Sequence, residues 1–221
     1  MQPRSALLVG ASGLVGGHLL RLLAHDEAYD RVTVLVRKPL SFRHPKLEET
    51  AIEFDELEKH KALFRGHDLF CCLGTTIKVA GSEEAFRKVD FTYVVQAASF
   101  ASMNGVEQFL VISSIGADKN SRAFYLRVKG EVEQAVSKLP FKAVQIFRPS
   151  VLIGNRKESR SNETFAIAVM NLISFAFVGR LRRYRTIEAK RVAQAMLSVA
   201  KQQNTGVAIY ESERIQILGQ V

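Results

Sequence analysis

Ser5-Ala6-Leu7-Leu8-Val9-Gly10-Ala11-Ser12-Gly13-Leu14-Val15-Gly16 lies near the amino terminus, and its reading decides the fold. Ser5 to Val9 reads as a buried strand, and the glycines three residues apart read as a tight turn. Leu14, Val15, Leu19, Leu22 and Leu23 recur at helical intervals up to Ala24. Between a strand and a helix, a glycine pattern carries chemistry. A residue without Cβ permits the sharp turn and lets backbone approach a ligand closely. The helix start adds free N–H groups and the positive end of a dipole. A pyrophosphate suits that arrangement, which makes Gly10, Ser12, Gly13, Leu14, Val15 and Gly16 the first candidate binding residues.

Further apolar runs follow at Val32–Val36, Asp68–Leu73, Phe109–Ile112 and Ala143–Phe147, with helical stretches at Glu83–Met103 and Arg122–Lys138. Continuous apolar strands alternating with helices imply a mostly parallel sheet covered on both faces, the doubly wound α/β (Rossmann) class. The short remainder after Pro149 holds an apolar stretch from Phe165 to Gly179, a helix over Glu188–Gln202 and a strand over Gly206–Tyr210. We therefore expect one domain over residues 1–221. Residues from about 150 to 187 form a reduced substrate or lid region within it.

The composition agrees with a globular chain: 221 residues, 47% hydrophobic and 24% charged. The two cysteines, Cys71 and Cys72, are adjacent, and neither they nor the histidines show a metal-ligand or disulfide spacing, so no metal is expected. A reducing compartment follows. The first residues lack the pattern of a secretory leader, and the sequence predicts a cytoplasmic protein. Phe165–Gly179 is shorter than the roughly 20 residues that a spanning helix needs. The net charge of +9 favours phosphate-bearing partners. Part of it lies in the basic segment Arg180–Arg185, for which nucleic acid and an anionic membrane surface are the least favoured partners; we expect no nucleic acid.

The end of the second strand distinguishes the nicotinamide cofactors. An acid there would accept from a ribose 2′-hydroxyl, whereas Val36-Arg37-Lys38-Pro39 offers cations to a 2′-phosphate. Arg37, helped by Lys38 and Ser12, therefore predicts NADP(H) over NAD(H). Tyr125 and Lys129 lie four apart on one helix face. Ser113 and Ser114 end the Phe109–Ile112 strand, where open α/β sheets hold their ligands. A tyrosine working near neutrality needs its ordinary pKa of about 10 lowered by about three units, roughly 4 kcal/mol. One ammonium about 4 Å away supplies roughly that amount at an effective dielectric near 20. We thus expect hydride transfer to or from a carbonyl or alcohol carbon, with Tyr125 passing the proton and Ser114 stabilising charge on oxygen.

The glycine turn, the serine and Tyr125-x-x-x-Lys129, in that order, resemble the short-chain dehydrogenase/reductase superfamily in its extended or atypical branch. Cys71-Cys72-Leu73-Gly74-Thr75-Thr76, Phe86-x-x-Val89-Asp90, Gly116-Ala117-Asp118-Lys119, Val128-Lys129-Gly130-Glu131-Val132-Glu133 and Phe147-Arg148-Pro149 are similar to the TIP30-like oxidoreductases of that branch. The resemblance implies that Leu73, Gly74 and Thr75 line the cofactor and that Pro149 and Val151 flank its nicotinamide. It places Glu53 or Asp55 where relatives keep an adenine-contacting acid. It also implies a homodimer through the Glu83–Met103 and Arg122–Lys138 helices. Arg156 and Arg160 lie in a polar loop bordering the expected substrate region. The short carboxyl-terminal part argues against a sugar-nucleotide substrate. Because some TIP30-like relatives act as NADPH-binding regulators, a non-catalytic interaction protein is the alternative to an oxidoreductase.

Overall fold

The computed structural model describes residues 3–154 and 186–220. Seven parallel strands form the main sheet: β1 (Arg4–Val9), β2 (Tyr29–Val36), β3 (Leu47–Ala51), β4 (Asp68–Cys71), β5 (Gln108–Ile112), β6 (Ala143–Arg148) and β9 (Gly206–Glu211). Their order is β3-β2-β1-β4-β5-β6-β9, with the direction of winding reversing beside β1. Ala6 of β1 lies opposite Val32 on one side and Asp68 on the other, so both neighbours deliver their carboxyl ends to the same rim. Leu152–Ile153 (β7) and Ile187–Glu188 (β8) form a separate parallel pair.

Alternation along β1 builds two cores. Ala6 and Leu8 face one layer with Phe70 and Leu110, packed by Val15 and Leu19 of helix α1 (Leu14–His25) and by Val192 and Met196 of α6 (Ala189–Gln202). Leu7 and Val9 face the other with Leu69 and Phe109. That layer is packed by Ala97 and Ala98 of α4 (Tyr93–Met103) and Val132 of α5 (Phe124–Val136). Successive strand side chains point to opposite faces, so each central strand needs an unbroken apolar run. At the rim away from the site, buried Asp68 accepts from Arg4 (2.7 and 2.9 Å), the Tyr29 hydroxyl (2.7 Å) and Gln108 (2.9 Å). These bonds tie together the amino-terminal ends of four strands.

The expected Glu83–Met103 helix has three parts: α3 (Glu83–Arg87), a wide π turn (Lys88–Thr92) and α4. A short helix, α2 (Ile77–Ala80), precedes them, and α7 (Ser212–Leu218) follows β9. The edge strand β3 was not expected. Its sequence Leu-Glu-Glu-Thr-Ala is half-exposed and charged, so its pairing with β2 comes from the sheet rather than from an apolar pattern. Most of the expected substrate region falls at 155–185, outside the described residues, as do the apolar stretch, Arg156, Arg160 and Arg180–Arg185.

Candidate functional site

A cleft of about 580 Å³ opens at the carboxyl rim of the sheet, where the winding reverses. Its floor is the turn between β1 and α1. Gly10 holds φ at +84°, and a Cβ there would lie 2.5 Å from the Cys72 carbonyl carbon and oxygen. At Gly16 a Cβ would come within 2.1 Å of the Gly10 oxygen, so the helix start and the turn touch backbone to backbone. Gly13 is the N-cap of α1, and no side chain caps it. The first N–H groups of the helix are thus left for an anion at the cleft floor. Ser12, Gly13, Leu14 and Val15 all line the cleft. Gly16 lies beneath the turn and serves it by packing.

Arg37 projects from the end of β2 into the same cleft, exposed, with no hydrogen-bond or ion-pair partner among the described residues. Lys38 is exposed beside it but is not part of the lining. Neither Glu53 nor Asp55 lines the cleft; Phe54 between them does. Asp55 instead pairs with Lys88 (2.5 Å) and accepts the Tyr93 hydroxyl, both of which hold its carboxyl below the usual range.

Helix α5 delivers Tyr125 and Lys129 to the lining of the same cleft. Close packing sets its position: a Cβ on Gly130 would lie 2.2 Å from the Lys119 nitrogen. The Tyr125 ring packs against Phe86 at 5.6 Å between centroids, and its half-buried hydroxyl has no hydrogen bond among the described residues. Lys129 is buried. Its ammonium does not stand alone, as the sequence argument assumed, because Asp90 pairs with it at 2.7 Å. Asp90 is 1% exposed and lies on the π turn, and its other oxygen accepts from the Thr75 N–H at 2.8 Å. Burial opposes the Lys129 charge, but Asp90 and then Tyr125 outweigh it, so its pKa is raised. Leu73, Gly74 and Thr75 line the cleft beside this pair.

The serines differ from expectation. Ser114 is buried outside the lining, and its hydroxyl donates to the Ile115 carbonyl at 3.3 Å. Ser113 does line the cleft, but its hydroxyl donates to Glu133 at 2.5 Å. The Arg148 guanidinium grips the same carboxylate at 2.5 and 2.9 Å, and that carboxylate in turn raises the pKa of Arg148. Pro149 and Val151 are buried just beyond, with Leu152 reaching the cleft in their place. Asp90, Phe54, Tyr93 and Leu152 are among the lining residues to which the sequence assigned no role. Asp90 stood in a quoted motif, and its burial depends on the wide helical turn, which no periodicity announces.

The fold and the cleft define a dinucleotide-binding protein of the Rossmann class, and the residues present fit such a ligand: a close-packed glycine cradle, an uncapped helix start and a guanidinium with no partner among the described residues. The chain belongs to the NAD(P)H-binding family, which it matches over residues 10–203. It is 40% identical over 170 residues to the protein HTATIP2 (TIP30) of Rattus norvegicus, covering 75% of this chain and 70% of that protein. It is 35% identical over 161 residues to protein FMP52-1, mitochondrial, of Scheffersomyces stipitis, covering 71% and 70%. Among solved structures it is similar to MoeE5 in complex with UDP-glucose and NAD, with a TM-score of 0.70 at 15% identity, covering 96% of this chain and 79% of that one. That likeness concerns the fold. The TIP30-like resemblance is thus supported by sequence over most of the chain. The expectation of a cytoplasmic protein is corrected: related yeast proteins carry a mitochondrial designation, and a missing leader pattern was a weak basis for a location.

Proposed function

We propose that this protein is an NADP(H)-dependent oxidoreductase that interconverts a carbonyl and an alcohol. In this reading the turn from Gly10 to Val15 binds the pyrophosphate, and Arg37, with Lys38 nearby, binds the 2′-phosphate through charge-assisted hydrogen bonds. The bound nicotinamide supplies or accepts the hydride. Tyr125 gives the proton to the substrate oxygen in reduction and takes it back in oxidation, and Lys129 holds a positive charge beside that hydroxyl. The single observation that carries the reading is one cleft lined by Arg37, which has no partner among the described residues, by the glycine cradle and by Tyr125 and Lys129. The test is substrate-dependent NADPH oxidation over a panel of aldehydes and ketones. Tyr125→Phe is expected to lower turnover at least 100-fold with NADPH affinity kept within about threefold. Equal turnover by the variant contradicts the reading.

A second reading has its own support. With Ser113 committed to Glu133 and Ser114 outside the cleft lining, neither serine at the end of β5 offers the cleft a free hydroxyl for a substrate oxygen among the described residues. That favours an NADP(H)-binding regulator whose partner binding responds to the cofactor. A partner interaction that depends on NADPH and survives Tyr125→Phe would support it.

A further inference from the structure

Arg37, Asp90 and Lys129 are the formally charged residues lining the cleft among those described, and two of them pair with each other. The pair lies deep, with Lys129 5% and Asp90 1% exposed. Four groups near the Lys129 ammonium are identifiable among the described residues. Asp90 comes from the π turn, Tyr125 from the same helix, Gly74 from the loop after β4 and Cys71 from β4 itself. A Cβ on Gly74 would stand 3.4 Å from the Asp90 carboxylate and 3.9 Å from the ammonium, so the pair abuts a loop that lines the cleft. Burial pushes the Cys71 thiol up to about 12, and it remains neutral. The Asp90 carboxylate therefore supplies the negative charge opposite Lys129.

Hydrogen bonding alone does not require that charge. An asparagine carbonyl could still accept from the Thr75 N–H or from the ammonium. A carboxylate at 1% exposure instead carries a desolvation cost that its partner must offset. What the charge adds is a local sum near zero where Lys129 by itself would leave +1, in a site where water screens weakly.

We propose that Asp90 is a positioning and charge-balancing residue: by neutralising Lys129 it lets the site hold the oxidised and reduced forms of the cofactor with similar strength. The inference rests on the NADP(H) reading of the cleft. Oxidised nicotinamide carries one positive ring charge more than the reduced ring, so an unbalanced ammonium in the cleft selects the reduced form. An unbalanced carboxylate selects the oxidised form. Selection between the forms is a difference of affinities and is separable from the strength of binding to either.

The experiment measures the dissociation constants of NADP+ and NADPH by calorimetry for the full chain, with no substrate. The ratio of the NADP+ to the NADPH constant is expected to rise at least fivefold in Asp90→Asn. It is expected to fall at least fivefold in Lys129→Gln, and to return to within twofold of the wild-type ratio when both changes are combined. A structural role for Asp90 would weaken both forms alike, so an unmoved ratio in Asp90→Asn overturns the proposal. Should Asp90→Asn fail to fold by circular dichroism, Lys129→Gln decides, and a ratio that does not fall overturns it equally. Binding of both forms with an unmoved ratio defeats this inference alone, whereas no binding of either form defeats the cofactor reading beneath it.

Discussion

Gly16 and Gly17 are neighbours on α1, yet the structure gives them opposite tolerance for a methyl group. An added Cβ at Gly17 meets the Ala11 oxygen at 3.5 Å, which is ordinary contact. Alanine is favoured over glycine in a helix interior by about 1 kcal/mol. Gly17→Ala is therefore expected to be neutral or to stabilise by up to that amount. The same helical gain applies at Gly16, but there the Cβ falls 2.1 Å from the Gly10 oxygen and 2.8 Å from its carbonyl carbon. Both are backbone atoms of a turn already closed against Cys72, so no side chain can swing aside. Relief requires moving the turn by about 1 Å, and overpacking of this kind costs roughly 1–3 kcal/mol. At roughly 2–4 °C per kcal/mol for a domain of this size, Gly16→Ala should melt about 2–12 °C below Gly17→Ala. Because the displaced turn is the proposed pyrophosphate cradle, NADPH affinity should fall at least tenfold in Gly16→Ala and stay within twofold in Gly17→Ala. Thermal unfolding and calorimetry on the two variants check both statements. Equal melting temperatures and equal affinities would refute the reasoning from backbone contact.

Two further outcomes follow from groups away from the cradle. Asp68→Ala leaves Arg4, the Tyr29 hydroxyl and the Gln108 amide without their shared acceptor, and should destabilise the protein by about 3–5 kcal/mol in urea unfolding; Asp68→Asn, which keeps the shape, should cost less. The pKa of His18 is lowered, first by burial and then by the Arg21 and Lys190 charges. Below about pH 6.5 the unfolded chain therefore takes up the proton first, so folded stability falls as the pH drops through that value. His18→Gln should flatten that fall when urea midpoints are compared at pH 7.5 and 5.5.

The parts of the fold written in local pattern were legible in the sequence. β1, β2, β4, β5 and β6 are apolar runs because both faces of each strand are covered. α5 showed itself through Tyr125 and Lys129 because a four-residue spacing places both on one face. Three features escaped for physical reasons. β3 is an edge strand whose charged residues gain their conformation from β2. The π turn that carries Asp90 to Lys129 lies inside a stretch that reads as one continuous helix, and no residue type marks it. The two serines look equivalent in sequence, and only Glu133, twenty residues away, commits Ser113. A lone ammonium would act on Tyr125 with about 4 kcal/mol, but the Asp90 carboxylate 2.7 Å from Lys129 offsets that charge.

Calorimetric titration of NADPH and NADH into the wild type and Arg37→Ala tests the central claim most directly. A charge-assisted pair of this kind contributes about 1.5–3 kcal/mol, so the wild type should bind NADPH about 10- to 100-fold more tightly than NADH. Arg37→Ala should lose most of that preference while keeping its NADH affinity. Equal binding of the two cofactors by the wild type, or a preference that survives Arg37→Ala, would contradict recognition of the 2′-phosphate at the end of β2.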